Sequence, residues 1–106
     1  MQWYNYIASF VAGTFICNFV PHFIHGISGK KFPTPFSKPP GVGLSSAGLN
    51  VLWSLFNLFF GIVLIIAGRV NTEHITSLIV FFIGFGVFSY LLGITFEKNH
   101  AKREKE

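Results

Sequence analysis

Three stretches of this chain contain no Lys, Arg, Asp or Glu for 21 or 22 residues each, and nothing else in the sequence limits the fold as strongly. They run from about Tyr4 to Ile24, from Ala47 to Ala67 and from Ile75 to Phe96. A helix needs about 20 apolar residues to cross the hydrocarbon of a bilayer, at a rise near 1.5 Å each. A spanning strand is about half that length, and lipid tolerates only backbone whose hydrogen bonds are made internally. The expected fold is an all-α integral membrane protein with three transmembrane helices in a single domain, residues 1–106. Composition agrees: 51% of the residues are apolar and only 11% are charged, against about 25% charged in a soluble domain. The mean hydropathy is +0.55.

The connections differ in kind. Residues 25–46, HGISGKKFPTPFSKPPGVGLSS, hold four of the five prolines, which forbid a continuous helix. Phe32, Phe36, Val42 and Leu44 make this link partly apolar, so it is expected to lie as a compact interfacial segment over the helix ends. Ser45 or Ser46 is placed to cap the second helix. The second connection, Gly68 to His74, is short enough to force an antiparallel hairpin. Gly68 suits a helix C-terminus, and Asn71 or Thr72 is placed to cap the third helix. The tail, residues 97–106, is charged and reads as a frayed, solvated helix extension.

The flanking charges set an expected orientation. Three spans put the N-terminus and the hairpin on one side, where Arg69 is the only Lys or Arg. The other side carries Lys30, Lys31, Lys38, Lys98, Lys102, Arg103 and Lys105. The positive-inside rule then predicts the N-terminus outside and the C-terminus cytoplasmic, in a bacterial-type inner or plasma membrane. The first lysine is Lys30, so no basic region precedes the first apolar block, and that block is expected to be retained. The net charge of +4 belongs to this topology, and no nucleic-acid partner is expected.

Polar residues inside hydrocarbon are costly and face other protein or a cavity. In the first span Thr14, Asn18, His22 and His25 fall within about 80° of one another on a helix, provided that helix continues past Pro21. In the second, Asn50, Ser54, Asn57 and Gly61 fall within about 60°. Both stripes belong to the halves of the spans next to the Pro/Gly-rich link, which brings Lys30 and Lys31 to the same end. Two uses are open. The stripes can hydrogen-bond helix to helix, or they can line a small polar pocket that receives an anionic group such as a phospholipid headgroup. The candidate ligand or headgroup residues are Asn18, His22, His25, Lys30, Lys31, Asn50, Ser54 and Asn57. Small residues mark expected contact faces: Ser9, Gly13 and Cys17; Ser54, Gly61 and Gly68; Gly86, Ser89 and Gly93. Some of these could serve a homo-oligomer or a membrane protein partner.

Sets that would carry catalysis are missing. His22 and His25 alone are too few ligands for zinc, and Cys17 does not complete a set; no metal and no cofactor is expected. The four carboxylates, Glu73, Glu97, Glu104 and Glu106, all lie outside the spans, so no acid–base pair can be assembled within them. The run GISGKK lacks the glycine spacing of a phosphate-binding loop. The expected function is that of a non-enzymatic accessory or interaction component of a membrane, with an anionic-lipid headgroup site on the cytoplasmic side. The alternative is an oligomeric small-ligand binder or transporter lined by the two polar stripes.

Overall fold

The computed structural model describes residues 1–105 and contains three helices: α1, Trp3–Ile27; α2, Ala47–Ala67; and α3, Ile75–Lys105. The molecule is elongated, 49 × 24 × 19 Å. Its interior inverts the pattern of a water-soluble protein. Asn5, Ser9, His22, Asn50, Ser54, Asn57 and Ser77 are buried, while Phe59, Ile66, Phe82 and Tyr90 are each more than 60% exposed. Water would penalise such a surface, whereas hydrocarbon favours it. Three helices long and apolar enough to cross a membrane, packed on a polar interior, suggest an integral membrane protein.

Helix α1 is the centre of the fold. It packs against both α2 and α3, and among the described residues no Cα of α2 comes within 8 Å of one of α3. The two α1 seams are built differently. Hydrogen bonds zip α1 to α2 at both ends: Asn5 Nδ2 donates to Ala67 O (2.8 Å) and Ser9 Oγ to Gly68 O (3.0 Å), while His22 and Asn18 pair with Asn50 and Asn57 at the other end. No side-chain hydrogen bond joins α1 to α3 among the described residues. That seam rests on close approach instead. A Cβ on Gly13 would collide with the backbone of Phe81 and Phe85, and one on Gly84 with the backbone of Phe10. Each glycine thus admits the partner's main chain, as small residues do in membrane helix pairs. Ser77 Oγ of α3 donates to Gly68 O (2.8 Å), the carbonyl that also receives Ser9, so one carbonyl ties all three helices together.

Helix α1 does continue past Pro21, to Ile27, and ends with Gly29 at φ +73°. Lys30 N–H reaches back to His25 O and Gly29 N–H to Gly26 O, the paired bonds of a Schellman close. Helix α2 ends in the same motif with a different residue in the left-handed place. Gly68 keeps a right-handed helical conformation and Arg69 takes φ +53°. Gly68 is required for room, since a Cβ there would meet Ser9 Oγ at 2.5 Å. Ser46 caps α2, accepting from Leu49 N–H at 3.1 Å. Helix α3 begins at Ile75, directly after His74, so neither Asn71 nor Thr72 is its cap. Asn71 Oδ1 instead accepts from the N–H groups of Glu73 and His74 and organises the turn.

The link from Ser28 to Ser46 is folded on itself. Phe32 and Ser45 exchange both backbone hydrogen bonds and close its neck. Above the neck, Thr34 O accepts from the N–H groups of Ser37 and Gly41, and Pro39 O from those of Val42 and Gly43. Thr34 Oγ1 and Ser45 Oγ are bonded at 2.6 Å. The charged tail is helical through Lys105 rather than frayed, and it is spent partly on this loop: Asn99 Nδ2 donates to Gly41 O (2.9 Å) and Arg103 Nη1 to Val42 O (2.6 Å).

Candidate functional site

The loop end of the molecule gathers four of the eight polar candidates into a cluster of two hydrogen-bonded pairs, His22 with Asn50 and Asn18 with Asn57. Asn50, fully buried on the first turn of α2, is its centre. Its Nδ2 faces three backbone carbonyls, those of Phe32 (3.0 Å), Ser45 (3.3 Å) and Ser46 (3.0 Å). That crowd of acceptors fixes the amide orientation and turns Oδ1 toward His22 Nδ1, 2.7 Å away. Because Oδ1 can only accept, the imidazole carries a proton on Nδ1. One level deeper, Asn57 Nδ2 donates to Trp53 O (2.8 Å), which leaves Asn57 Oδ1 to accept from Asn18 Nδ2 (3.1 Å). Each pair, Asn50 with His22 and Asn57 with Asn18, is therefore directional, with α1 donating to α2, and the upper one is tied to the loop as well.

The other candidates stand apart from this network. Ser54 is fully buried and donates within its own helix to Val51 O (2.7 Å), so it packs rather than links. His25 Nδ1–H donates to Pro21 O (2.8 Å), and its ring stacks on Phe32 with centroids 4.0 Å apart. Lys30 and Lys31 are exposed on the rim, away from the stripes. Ser45 and Ser46 spend their hydroxyls on Thr34 and on the helix cap, and neither is bonded to a histidine. Among the described residues, no three His, Cys, Asp or Glu side chains converge as metal ligands would.

Beside the network lies a cavity of about 380 Å³, within the range of small-molecule sites. Its floor is Asn18 and His22 of α1. Its walls are Trp53 of α2 and Phe88, Leu92 and Phe96 of α3. The loop closes one end with residues 33–35 and with Pro40 and Gly41. Since α2 and α3 do not meet, the cavity opens sideways between them. Among the described residues, no charged side chain lines it. A second hollow of about 300 Å³ lies between α1 and α3, lined by Cys17, Pro21, Ser89 and Gly93, and shares Leu92 and Phe96 with the first. Helix α3 is thus undercut on both sides near the loop, whereas its other half is seated on α1 at Gly13.

Aromatic rings brace the larger cavity. Phe36 meets Trp53 edge-on at 5.2 Å, Phe56 stacks on Trp53 at 5.3 Å, and Phe32 lies 4.9 Å from Phe96. Trp53 has one further property. Its indole Nε1 is occluded and has no hydrogen-bond acceptor among the described residues. Trp53 is not among the residues of the polar stripes, because an aromatic residue does not register in a pattern of amides and hydroxyls. The available signal was its place within a span, since tryptophan in membrane helices favours the interface. Comparison of the chain with family models, with curated proteins and with solved structures finds no match in any of the three.

Proposed function

We propose that this protein is a non-enzymatic component of a membrane that holds a lipid-derived molecule between α2 and α3. One observation carries the reading: two of the three helices leave an uncharged cavity open to the side, and a folded loop closes one end of it. A site for a water-borne solute would need an aqueous mouth and polar walls. This one has prolines and phenylalanines, and its open side faces the surroundings of the helices. In the orientation given by the flanking charges, with the N-terminus outside and the C-terminus cytoplasmic, the cavity belongs to the inner leaflet. Lys30, Lys31 and Lys38 then hold the loop against anionic headgroups, each contributing about 1 kcal/mol near such a surface. Membrane lipids are the first partners. A second copy or another membrane protein has room along α3, where Gly86 and Gly93 have nothing within 4 Å.

The test is native mass spectrometry of protein extracted gently from its own membrane. The expected spectrum shows a retained added mass of lipid size. Leu92→Trp, which fills the cavity, should remove that mass while leaving helix content unchanged. A wild-type protein with no retained mass, or a Leu92→Trp variant that retains it fully, would overturn the reading.

A further inference from the structure

Two polar atoms on the residues lining the cavity are left unanswered by the protein, and a third nearby is sealed off. Trp53 Nε1–H is an occluded donor without an acceptor. His22 is only 2% exposed, spends its Nδ1 proton on Asn50, and has no protein partner at Nε2 among the described residues. With the proton on Nδ1, the neutral ring offers Nε2 as an acceptor. Asn18 gives its Nδ2 to Asn57, so its Oδ1 is a second acceptor at the same wall. The His22 and Trp53 rings lie 6.5 Å apart, centroid to centroid, at 79°, so a head group on His22 lies beside the indole.

With Nδ1 protonated, His22 Nε2 can only accept, as can Asn18 Oδ1, so the site is complete only with an occupant that donates to them. A carboxylate or a phosphodiester cannot donate from its ionised group, and among the described residues the cavity has no cation to balance an anion; Lys30 and Lys31 lie outside it. Burying an unpaired charge there would be costly. A hydroxyl both accepts and donates without charge. Phe88, Leu92 and the loop prolines offer an apolar channel for a chain, and the gap between α2 and α3 lets that chain run out into hydrocarbon. We infer that the cavity binds an uncharged acylglycerol with free hydroxyls, its head on His22 Nε2 and Asn18 Oδ1 and beside the Trp53 ring. The inference rests on the lipid-cavity reading above and narrows its ligand.

The experiment uses Trp53 as the reporter. The Trp3→Phe chain is reconstituted in phosphatidylcholine vesicles, leaving Trp53 as the only tryptophan. Its fluorescence is titrated with dibromostearoyl monoglyceride, with the same molecule methylated on both hydroxyls, with the dibrominated lysophosphatidate, and with dibrominated phosphatidylcholine at equal bromine. The free monoglyceride should quench at a mole fraction about tenfold lower than its dimethyl ether, the effect of roughly one well-made buried hydrogen bond. His22→Phe and Asn18→Leu should each erase most of that difference, and the comparison of monoglyceride with ether in the unsubstituted cavity stands even if either variant folds poorly. Equal quenching by monoglyceride and ether, or stronger quenching by the lysophosphatidate, would overturn the acylglycerol assignment and leave the lipid cavity intact. Quenching by none of the single-chain probes beyond that of bulk dibrominated phosphatidylcholine would overturn both.

Discussion

Asn50 is where the network can be tested most sharply. Asn50→Ala removes four side-chain hydrogen bonds, but they are not of equal weight. Phe32 O keeps its bond from Ser45 N–H, Ser45 O its bond from Phe32 N–H, and Ser46 O its bond from the Asn50 backbone. All three carbonyls therefore stay satisfied. His22 Nδ1–H does not, because Asn50 Oδ1 is its only partner among the described residues. The cost is then one orphaned buried donor, about 1–3 kcal/mol, plus the net worth of side-chain bonds within a membrane protein, near 0.6 and rarely above about 1.7 kcal/mol. A loss of about 2–4 kcal/mol follows. The assay is reversible unfolding in mixed micelles, read by helix content. The stronger check is a double-mutant cycle with His22→Phe. Removing both partners leaves nothing orphaned, so the double variant should be less destabilised than the two single losses summed, by about 1–3 kcal/mol. Additive losses, or an Asn50→Ala cost below that of Asn57→Ala, would refute the idea that His22 depends on Asn50.

Other outcomes follow from the same geometry. Gly84→Leu should detach α3 from α1, because its side chain would have to occupy the position of the Phe10 backbone; a spin-label distance between the loop-distal halves of α1 and α3 should lengthen, whereas Gly93→Leu, with open space around it, should leave that distance unchanged. Arg103→Ala and Asn99→Ala should raise amide exchange over residues 39–43, which they tether, while changing global stability by less than about 1 kcal/mol, since the tether lies outside the core. Arg69→Gly relieves a left-handed backbone position that costs a residue with a Cβ about 1 kcal/mol, partly offset by the added freedom of glycine in the unfolded chain; a melt at or slightly above that of the unsubstituted protein is expected. A reporter fused to the C-terminus should be active only on the cytoplasmic side.

Helix positions were legible because hydrocarbon imposes a length and a composition on any span, and the three uncharged blocks meet both. The α1–α2 register was legible for a related reason. Amides in an apolar run must find partners, and residues such as His22 and Asn50 fall on one helical face each, so their meeting could be anticipated without coordinates. The α1–α3 seam was not legible in the same way. Gly84, Gly86 and Gly93 are equivalent as letters, and only the helix phase relative to α1 distinguishes the one that admits Phe10 from the two that face open space. The tail shows a third kind of limit. Asn99 and Arg103 look like solvent-facing residues of a charged run, and their role depends on where the loop carbonyls of Gly41 and Val42 come to rest. Trp53 shows a fourth: an unanswered N–H is a property of what surrounds the indole, which no single-residue pattern encodes.

The distribution of bonds divides the molecule into two parts. Helices α1 and α2 and the loop share the directional pairs Asn18–Asn57 and His22–Asn50, the latter tied on to Phe32, and a second set of bonds at Asn5, Ser9 and Gly68. Such a unit has two zipped ends and a closed loop neck. Helix α3 joins it through Gly13 and Gly84, through Ser77 on the shared carbonyl of Gly68, and at the far end through Asn99 and Arg103 on the loop. Between these anchors it is undercut by both hollows, and Leu92 and Phe96 are the residues common to them. The cavity therefore lies on the seam between a bonded frame and a helix held at its ends. An occupant there would touch both parts, packing on Phe88 and Leu92 while bonding His22 and Asn18, and would supply along the middle of α3 the contacts that the protein's own side chains leave out.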